Sequence, residues 1–330
     1  MTDVARLAGL SQTTVSLVLN EVATVSIPEE TRGRVWAAVK ELGYRPNAAA
    51  KMLRTNRTHT LGFVTDEIAT TPFAGKILEG AQDLALANDK ILLTINTGRN
   101  TQVEKKAIEM LLERQVEGII YATMYHREVT LPYDLGDVPV VLLDCFVANR
   151  SLPSVVPDEI TGGRLATETL LSKGHRRIGF INLPYNYPAP IGRLKGYREA
   201  LEANGITYDP ALVRPSTGYA DGGYQETLAL MKLSEPPTAL FCATDRMAMG
   251  AYDALRELGR RIPQDVAVIG FDNQEIIAPY LRPALSTMGL PHYEMGHWAV
   301  QYLLDQAEHT ENTSSVQQLL PCPLIERESI

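Results

Sequence analysis

From residue 60 to the end, the sequence repeats one hydropathy pattern, and that pattern restricts the fold more than any other feature. Short runs of β-branched and large apolar residues alternate with stretches whose apolar residues recur at helical spacing, the signature of parallel α/β units. Strands are predicted over 60–65, 91–96, 118–122 and 138–143, with helices over 76–88 and 103–114 between the first three. The pattern then begins again, with strands over 177–182, 238–243 and 266–271 and helices over 164–173, 193–204, 222–233 and 247–258. Two such runs predict two similar lobes. Ligands of open α/β sheets bind beyond the carboxyl ends of the strands, so two facing lobes would hold a cleft between them.

The first 46 residues follow different rules. Asp3 sits near the positive end of a first helix, in which Val4, Leu7 and Ala8 make an apolar stripe. Gly9 breaks that helix, Leu10 plugs the turn, and Ser11 restarts the chain as an N-cap. The second helix turns Val15, Val18 and Leu19 inward and stops at Asn20. Two short helices around a glycine turn are the helix-turn-helix pattern. Gln12, Thr13 and Ser16 stay exposed, with side chains that both donate and accept, as base reading in the major groove requires. Pro28 opens a third helix with Glu29 and Glu30 in its first turn, and Val35, Ala38, Val39 and Leu42 are expected to close a small core.

Between head and body lies a segment of conditional structure. Asn47 is a good N-cap, and Ala48, Ala49, Ala50, Lys51, Met52 and Leu53 are strong helix formers. Yet two turns fall short of the ~12–15 residues an isolated helix needs in water. Such a helix forms only when something packs against it, as a coupling element between two unlike halves would. Charge separates those halves too. Residues 1–58 carry eight Lys/Arg against five Asp/Glu, while the remainder carries 23 against 34. A basic head on an acidic body is compatible with nucleic-acid contact by the head alone.

The segment from Asp3 through Ala8-Gly9-Leu10-Ser11-Gln12-Thr13-Thr14-Val15-Ser16 closely resembles the DNA-binding head of the LacI/GalR family of bacterial transcription regulators. So do Pro28-Glu29-Glu30-Thr31-Arg32 and Leu42-Gly43-Tyr44-Arg45-Pro46-Asn47. The body resembles the family's effector domain through Lys173-Gly174-His175-Arg176-Arg177, Gly192-Arg193-Leu194-Lys195-Gly196-Tyr197 and Val266-Ala267-Val268-Ile269-Gly270-Phe271-Asp272. The resemblance implies a small all-α helix-turn-helix head plus an α/β two-lobed, periplasmic-binding-protein-like effector domain. It divides the chain into a DNA-binding domain (1–46), a hinge helix and linker (47–58) and an effector-binding and dimerisation domain (59–330). The N-lobe would take about 59–158 and 289–317, and the C-lobe about 159–287 and 318–330. Crossings between lobes are expected near 158–162, near 285–290 and before Leu319.

By the same resemblance, Gln12, Thr13, Ser16, Leu17 and Asn20 meet operator DNA. Asn47, Ala50 and Leu53 belong to hinge helices that two protomers insert into the minor groove, where Leu53 wedges between base pairs. Many relatives carry an arginine at the position of Leu17, which here offers only apolar contact. Effector contacts fall at Asp144, Arg193, Thr244 and Asp272, with Phe73 and Tyr219 as aromatic surfaces and Asp158 as a further candidate. Purine-responsive relatives carry an arginine where this chain has Tyr187-Pro188-Ala189-Pro190, which favours a sugar or sugar derivative. The expectation is a homodimeric repressor, binding double-stranded operator DNA under control of a small effector. Its rival is a cytoplasmic sugar-binding protein with a vestigial head.

Other classes find little support. The sequence has no G-x-S-x-G, P-loop or H-E-x-x-H motif, so no enzyme is expected. His292 and His297 are five apart, and Cys145, Cys242 and Cys322 form no C-x-x-C pair, so neither a metal nor a cofactor is expected. With no long apolar run and no signal-peptide pattern, a cytoplasmic protein associated with the nucleoid, without a membrane partner, is expected.

Overall fold

The computed structural model describes residues 1–20, 25–45, 52, 57–71, 74–131, 135–308 and 316–330. Two units emerge, Met1–Thr58 and His59–Ile330. In the first, α1 (Thr2–Ala8) ends where Gly9 takes a left-handed φ of 64°. The Ser11 hydroxyl caps α2 (Gln12–Leu19) by accepting from the Thr14 N–H at 3.0 Å. Helix α3 (Glu29–Glu41) lies across both, and Arg34 donates to the carbonyl of Ala8, satisfying the end of α1. Val4, Ala5, Ala8, Val15, Val18, Val35 and Ala38 form the core. Leu7 and Leu42 depart from expectation, since both lie on the surface. The inward face of α1 carries Ala5 beside Val4 and Ala8, and these small side chains leave Leu7 outside. Most of the expected hinge, including Asn47, Ala50 and Leu53, lies outside the described residues, as does Phe73.

The second unit holds two six-stranded sheets. One contains β1 (Thr60–Thr65), β2 (Ile91–Asn96), β3 (Ile119–Glu128), β4 (Val140–Phe146), β5 (Ser154–Pro157) and β11 (Gln317–Leu320), in the order β11-β5-β4-β3-β1-β2. The other contains β6 (Ile178–Asn182), β7 (Val213–Pro215), β8 (Ala239–Cys242), β9 (Ala267–Asp272), β10 (Ser286–Gly289) and β12 (Leu324–Ile325), in the order β12-β10-β9-β8-β6-β7. Neighbours run parallel except β10 and β12. Parallel sheets are covered on both faces, which explains the buried, largely apolar runs of β1, β4, β8 and β9. Alternate residues of β1 serve the two sides: Leu61 and Phe63 enter one core cluster and Val64 the other.

Helices α4 (Gly75–Ala87), α5 (Thr101–Glu113) and α10 (His292–Glu308) belong with the first sheet. Helices α6 (Glu159–Ser172), α7 (Pro188–Ala203), α8 (Ala220–Met231) and α9 (Asp245–Glu257) belong with the second. The chain passes between sheets after Pro157, after Gly289 and after Leu320. The third crossing therefore follows Leu319 rather than preceding it, because β11 pairs with β5 through Leu320. No described helix is long and apolar enough to cross a membrane.

Two local features shape the region between the sheets. The β3–β4 register jumps between Ala122 and Arg127, so residues 123–126 stand opposite Asp144 alone. Such a bulge breaks the ladder and re-aims side chains. The Thr123 hydroxyl fastens it, bonding the carbonyls of Tyr125 and Asp144 at 2.9 Å each. On the other side, α6 and α7 touch backbone to backbone. A Cβ on Gly196 would lie 2.1 Å from the Ile160 carbonyl oxygen, and one on Gly163 would lie 2.4 Å from that of Arg193. Gly196→Ala therefore forces the helices apart, and we expect a loss of about 1–3 kcal/mol or more. A urea midpoint equal to that of the unaltered chain would contradict this packing.

Candidate functional site

A cavity of about 280 Å3 opens between the two sheets at the carboxyl ends of their strands. Its first wall is the β3 bulge, with Tyr125 and His126, and Asp144 near the end of β4. Its second wall comes from Arg193 on α7, Thr244 at the N-cap of α9, and Asp272 at the end of β9. Glu159, the first residue of α6 after the first crossing, lines it from below.

Arg193 organises the floor. It is 3% exposed. Its Nε donates to Glu159 Oε2 at 2.6 Å and its Nη2 to Oε1 at 3.2 Å, while Nη1 donates to the Ala243 carbonyl. The guanidinium carbon also lies 3.7 Å from the centre of the Phe271 ring. Burial opposes this charge, but attraction and hydrogen bonds from Glu159, with Asp272 beyond, raise the Arg193 pKa above its usual range. Of the five N–H bonds of a guanidinium, three are thus engaged and two remain for a ligand.

The two cleft aspartates are buried, and their backbones are strained. Asp144 has φ 55° and Asp272 φ 118°, conformations that side-chain-bearing residues hold only where the surroundings enforce them. Asp144 Oδ1 has no hydrogen-bond partner. Burial, reinforced by Glu159 and Asp66, pushes the Asp144 pKa well above the carboxylate range despite Arg193. Asp272 is pushed up to about 7, chiefly by burial, with Arg193 and the Gln274 hydrogen bond opposing. Gln274 ties the second wall together. Its Nε2 donates to Asp272 at 2.9 Å, and its backbone N–H donates to buried Asp245 at 2.6 Å. Asp245 also accepts from Thr287 at 2.6 Å, fastening α9 to β10 beside the second crossing.

Not every expected contact falls in the cavity. The Asp158 carboxylate caps α6 by accepting from the Thr161 N–H at 3.0 Å, and its neighbour Glu159 lines the cavity instead. The Thr244 hydroxyl bonds the Gly218 carbonyl and caps α9, so it reaches the cavity already engaged. Tyr219 stands at the rim, 54% exposed. Glu159, His126 and Tyr125 were not anticipated from sequence. A buried arginine requires a counter-charge, which is the one signal that points to an acid such as Glu159. The bulge that presents His126 leaves no periodic trace. Both His126 ring nitrogens are buried without a partner. Burial, with Arg150 and Arg193, lowers its pKa to about 4, so the ring is neutral at ordinary pH.

In the head, Gln12 and Thr13 are exposed at the start of α2, and Gln12 touches the Thr2 hydroxyl at 3.1 Å. Ser16 and Leu17 are half-buried. Asn20 turns back on α2, donating to the Ser16 carbonyl and, at 3.3 Å, to the Ser16 hydroxyl. Two polar side chains therefore stand forward on α2, and two form its closing turn. Among the described residues, no group of three or more His, Cys, Asp or Glu side chains is placed to hold a metal ion.

The profile for bacterial regulatory proteins of the lacI family matches residues 1–47, and that for a periplasmic binding protein-like domain matches residues 167–330. The HTH-type transcriptional repressor PurR of Yersinia enterocolitica is 34% identical, over 99% of this chain and 96% of its own. A structure of the transcriptional regulator CelR in complex with cellobiose is 33% identical with a TM-score of 0.70, over 99% of this chain and 98% of that one. The lac repressor dimer bound to operator and the anti-inducer ONPF is 28% identical with a TM-score of 0.78, over 99% and 97%.

Two outcomes follow from the cleft. Glu159→Ala leaves the buried Arg193 uncompensated and is expected to cost about 3–5 kcal/mol in urea unfolding; a loss under ~1 kcal/mol would refute the pairing. Asp272 holds its proton to about pH 7 when folded, against about 4 when unfolded. The folded chain therefore binds more protons in that window, and this group's contribution to stability is lost as pH rises through it. Asp272→Asn should narrow the difference between unfolding midpoints at pH 5 and pH 8, and an unchanged difference counts against the assignment.

Proposed function

The chain belongs to the lacI family of bacterial regulatory proteins, and we propose that it represses transcription by gripping operator DNA with an affinity set by a sugar-like effector held between its lobes. One observation carries the effector reading. Asp144 is buried at the cleft with an oxygen that no protein group satisfies. Burying an unpaired carboxyl is costly, and hydroxyl groups relieve that cost by donating to it. Asp272 offers a second acceptor and Arg193 two free N–H bonds, a set suited to vicinal hydroxyls. Thr244 and Tyr219 border the same space, and Phe73 is assigned to it by resemblance. Asp158 acts on the site only through the α6 terminus.

On the DNA side, Gln12 and Thr13 are the base readers, with Ser16, Leu17 and Asn20 shaping the rest of the α2 surface. Asn47, Ala50 and Leu53 form the minor-groove hinge in a homodimer. That division takes 1–46 as reader, 47–58 as hinge and the remainder as sensor. The protein works in the cytoplasm at the nucleoid and catalyses nothing.

A purine corepressor is the second reading, favoured by similarity to PurR. The Tyr187-Pro188-Ala189-Pro190 segment, which caps and opens α7, weighs against it, because it supplies no cation to a purine edge. Thermal-shift measurements with sugars and with hypoxanthine separate the two, since a ligand at about a hundred times its Kd adds about 2.7 kcal/mol to stability. Stabilisation by hypoxanthine alone would overturn the sugar reading.

Fluorescence anisotropy on fragments of the protein's own promoter region tests the repressor reading. Specific sites should bind at least ~10³-fold tighter than random DNA at physiological salt, and equal affinities would refute it. Gln12→Ala is expected to lose about 1–3 kcal/mol and relax base preference at one position. Leu53→Ala should weaken operator binding while effector affinity persists; unchanged operator affinity would rule out the wedge.

A further inference from the structure

The cleft differs in chemistry from floor to mouth. Asp144, Arg193 and Asp272 are buried at its floor. At its mouth stand two tyrosines from opposite lobes, Tyr125 on the β3 bulge and Tyr187 just before α7, 43% and 37% exposed. Their ring centres are 6.3 Å apart and their planes 29° from parallel. Arg99 lies 5.7 Å from the centre of the Tyr125 ring. Exposed aromatic faces forgo apolar burial at roughly 25 cal/mol per Å2, and a pair presented by both lobes at one opening is ready to recover it from a ligand. Neither ring is used by the floor contacts.

The cavity's 280 Å3 falls just short of the ~300–1,000 Å3 typical of ligand sites. A ligand that satisfies the floor and exceeds one ring must therefore reach the mouth. We propose that the cleft takes two linked sugar rings, the inner one held by Asp144, Arg193 and Asp272 and the outer one packed on Tyr125 and Tyr187. The apolar face of a pyranose lies flat on an aromatic ring, and its edge hydroxyls stay in water. Because the rings belong to different lobes, an outer sugar touching both adds a second bridge at the mouth to the one that Asp144 and Asp272 offer a single ring at the floor. This inference rests on the sugar reading above and narrows it.

Isothermal titration of the full chain with cellobiose, maltose, gentiobiose, glucose and hypoxanthine tests it. At least one disaccharide should bind about tenfold or more tighter than glucose, the worth of one stacked ring. Tyr125→Ala should bring that disaccharide down to the affinity of glucose, and Tyr125→Phe, which keeps the ring, should restore it. Tyr187→Ala gives an independent second reading of the same surface. Glucose binding as tightly as every disaccharide, or a disaccharide preference that survives both alanine variants, overturns the two-ring inference and leaves the sugar reading standing. Binding of hypoxanthine alone, or of none of the five, overturns both.

Discussion

A guanidinium buried where two lobes meet must find its counter-charge within hydrogen-bond reach, and Arg193 finds it in Glu159. That pair governs the rest of the cleft. Glu159 opens α6 directly after the first crossing, and Arg193 sits within α7. The two helices bring it together only because Gly163, Gly192 and Gly196 remove the side chains that would hold them apart. A bidentate pair fixes orientation as well as charge. The two guanidinium N–H bonds left over are therefore held in set directions at the cleft.

The pair also explains the electrostatics around it. Asp144 feels both burial and the negative charge of Glu159, and its carboxyl retains a proton far above the ordinary range. Asp272 feels the same burial, but Arg193 and Gln274 oppose it, and it titrates near neutrality. The two carboxyls on the facing walls thus differ in their surroundings, Asp144 with an unpartnered oxygen and Asp272 tied to Gln274. Buried ion pairs are weak contributors to net stability, and the better account of this one is positional. It holds the floor rigid while the walls belong to different lobes.

Much of this was legible in the sequence, because the signals were local. Uniform apolar runs located β1, β4, β8 and β9, and strand ends pointed to Asp144 and Asp272. What stayed hidden depends on long-range pairing. The bulge at residues 123–126 is a mismatch of register between two strands, and neither strand carries it alone, so Tyr125 and His126 could not be seen as cleft residues. Strands β7 and β12 have three and two residues, and β11 joins two glutamines to two leucines, so none makes an apolar run, which displaced the third crossing by a few residues. Leu7 and Leu42 misled for a different reason. Helical spacing names a face, but not which flank of it a neighbouring helix covers.

The coupling between cleft and DNA then has to work with small energies. Ligand can shift a conformational equilibrium only by its difference in affinity for the two states, and coupling free energies between sites are typically about 1–3 kcal/mol. A stable hinge helix would ignore a bias of that size, and a strongly disfavoured one could not be rescued by it. The sequence after Asn47 joins good helix formers in a run shorter than an isolated helix needs, and for any element near balance about 1.4 kcal/mol changes the population tenfold. Reciprocity then requires operator DNA to alter effector affinity by the same factor. Under the proposed function, a hinge of that kind is what would let so modest a signal from the cleft reach the DNA.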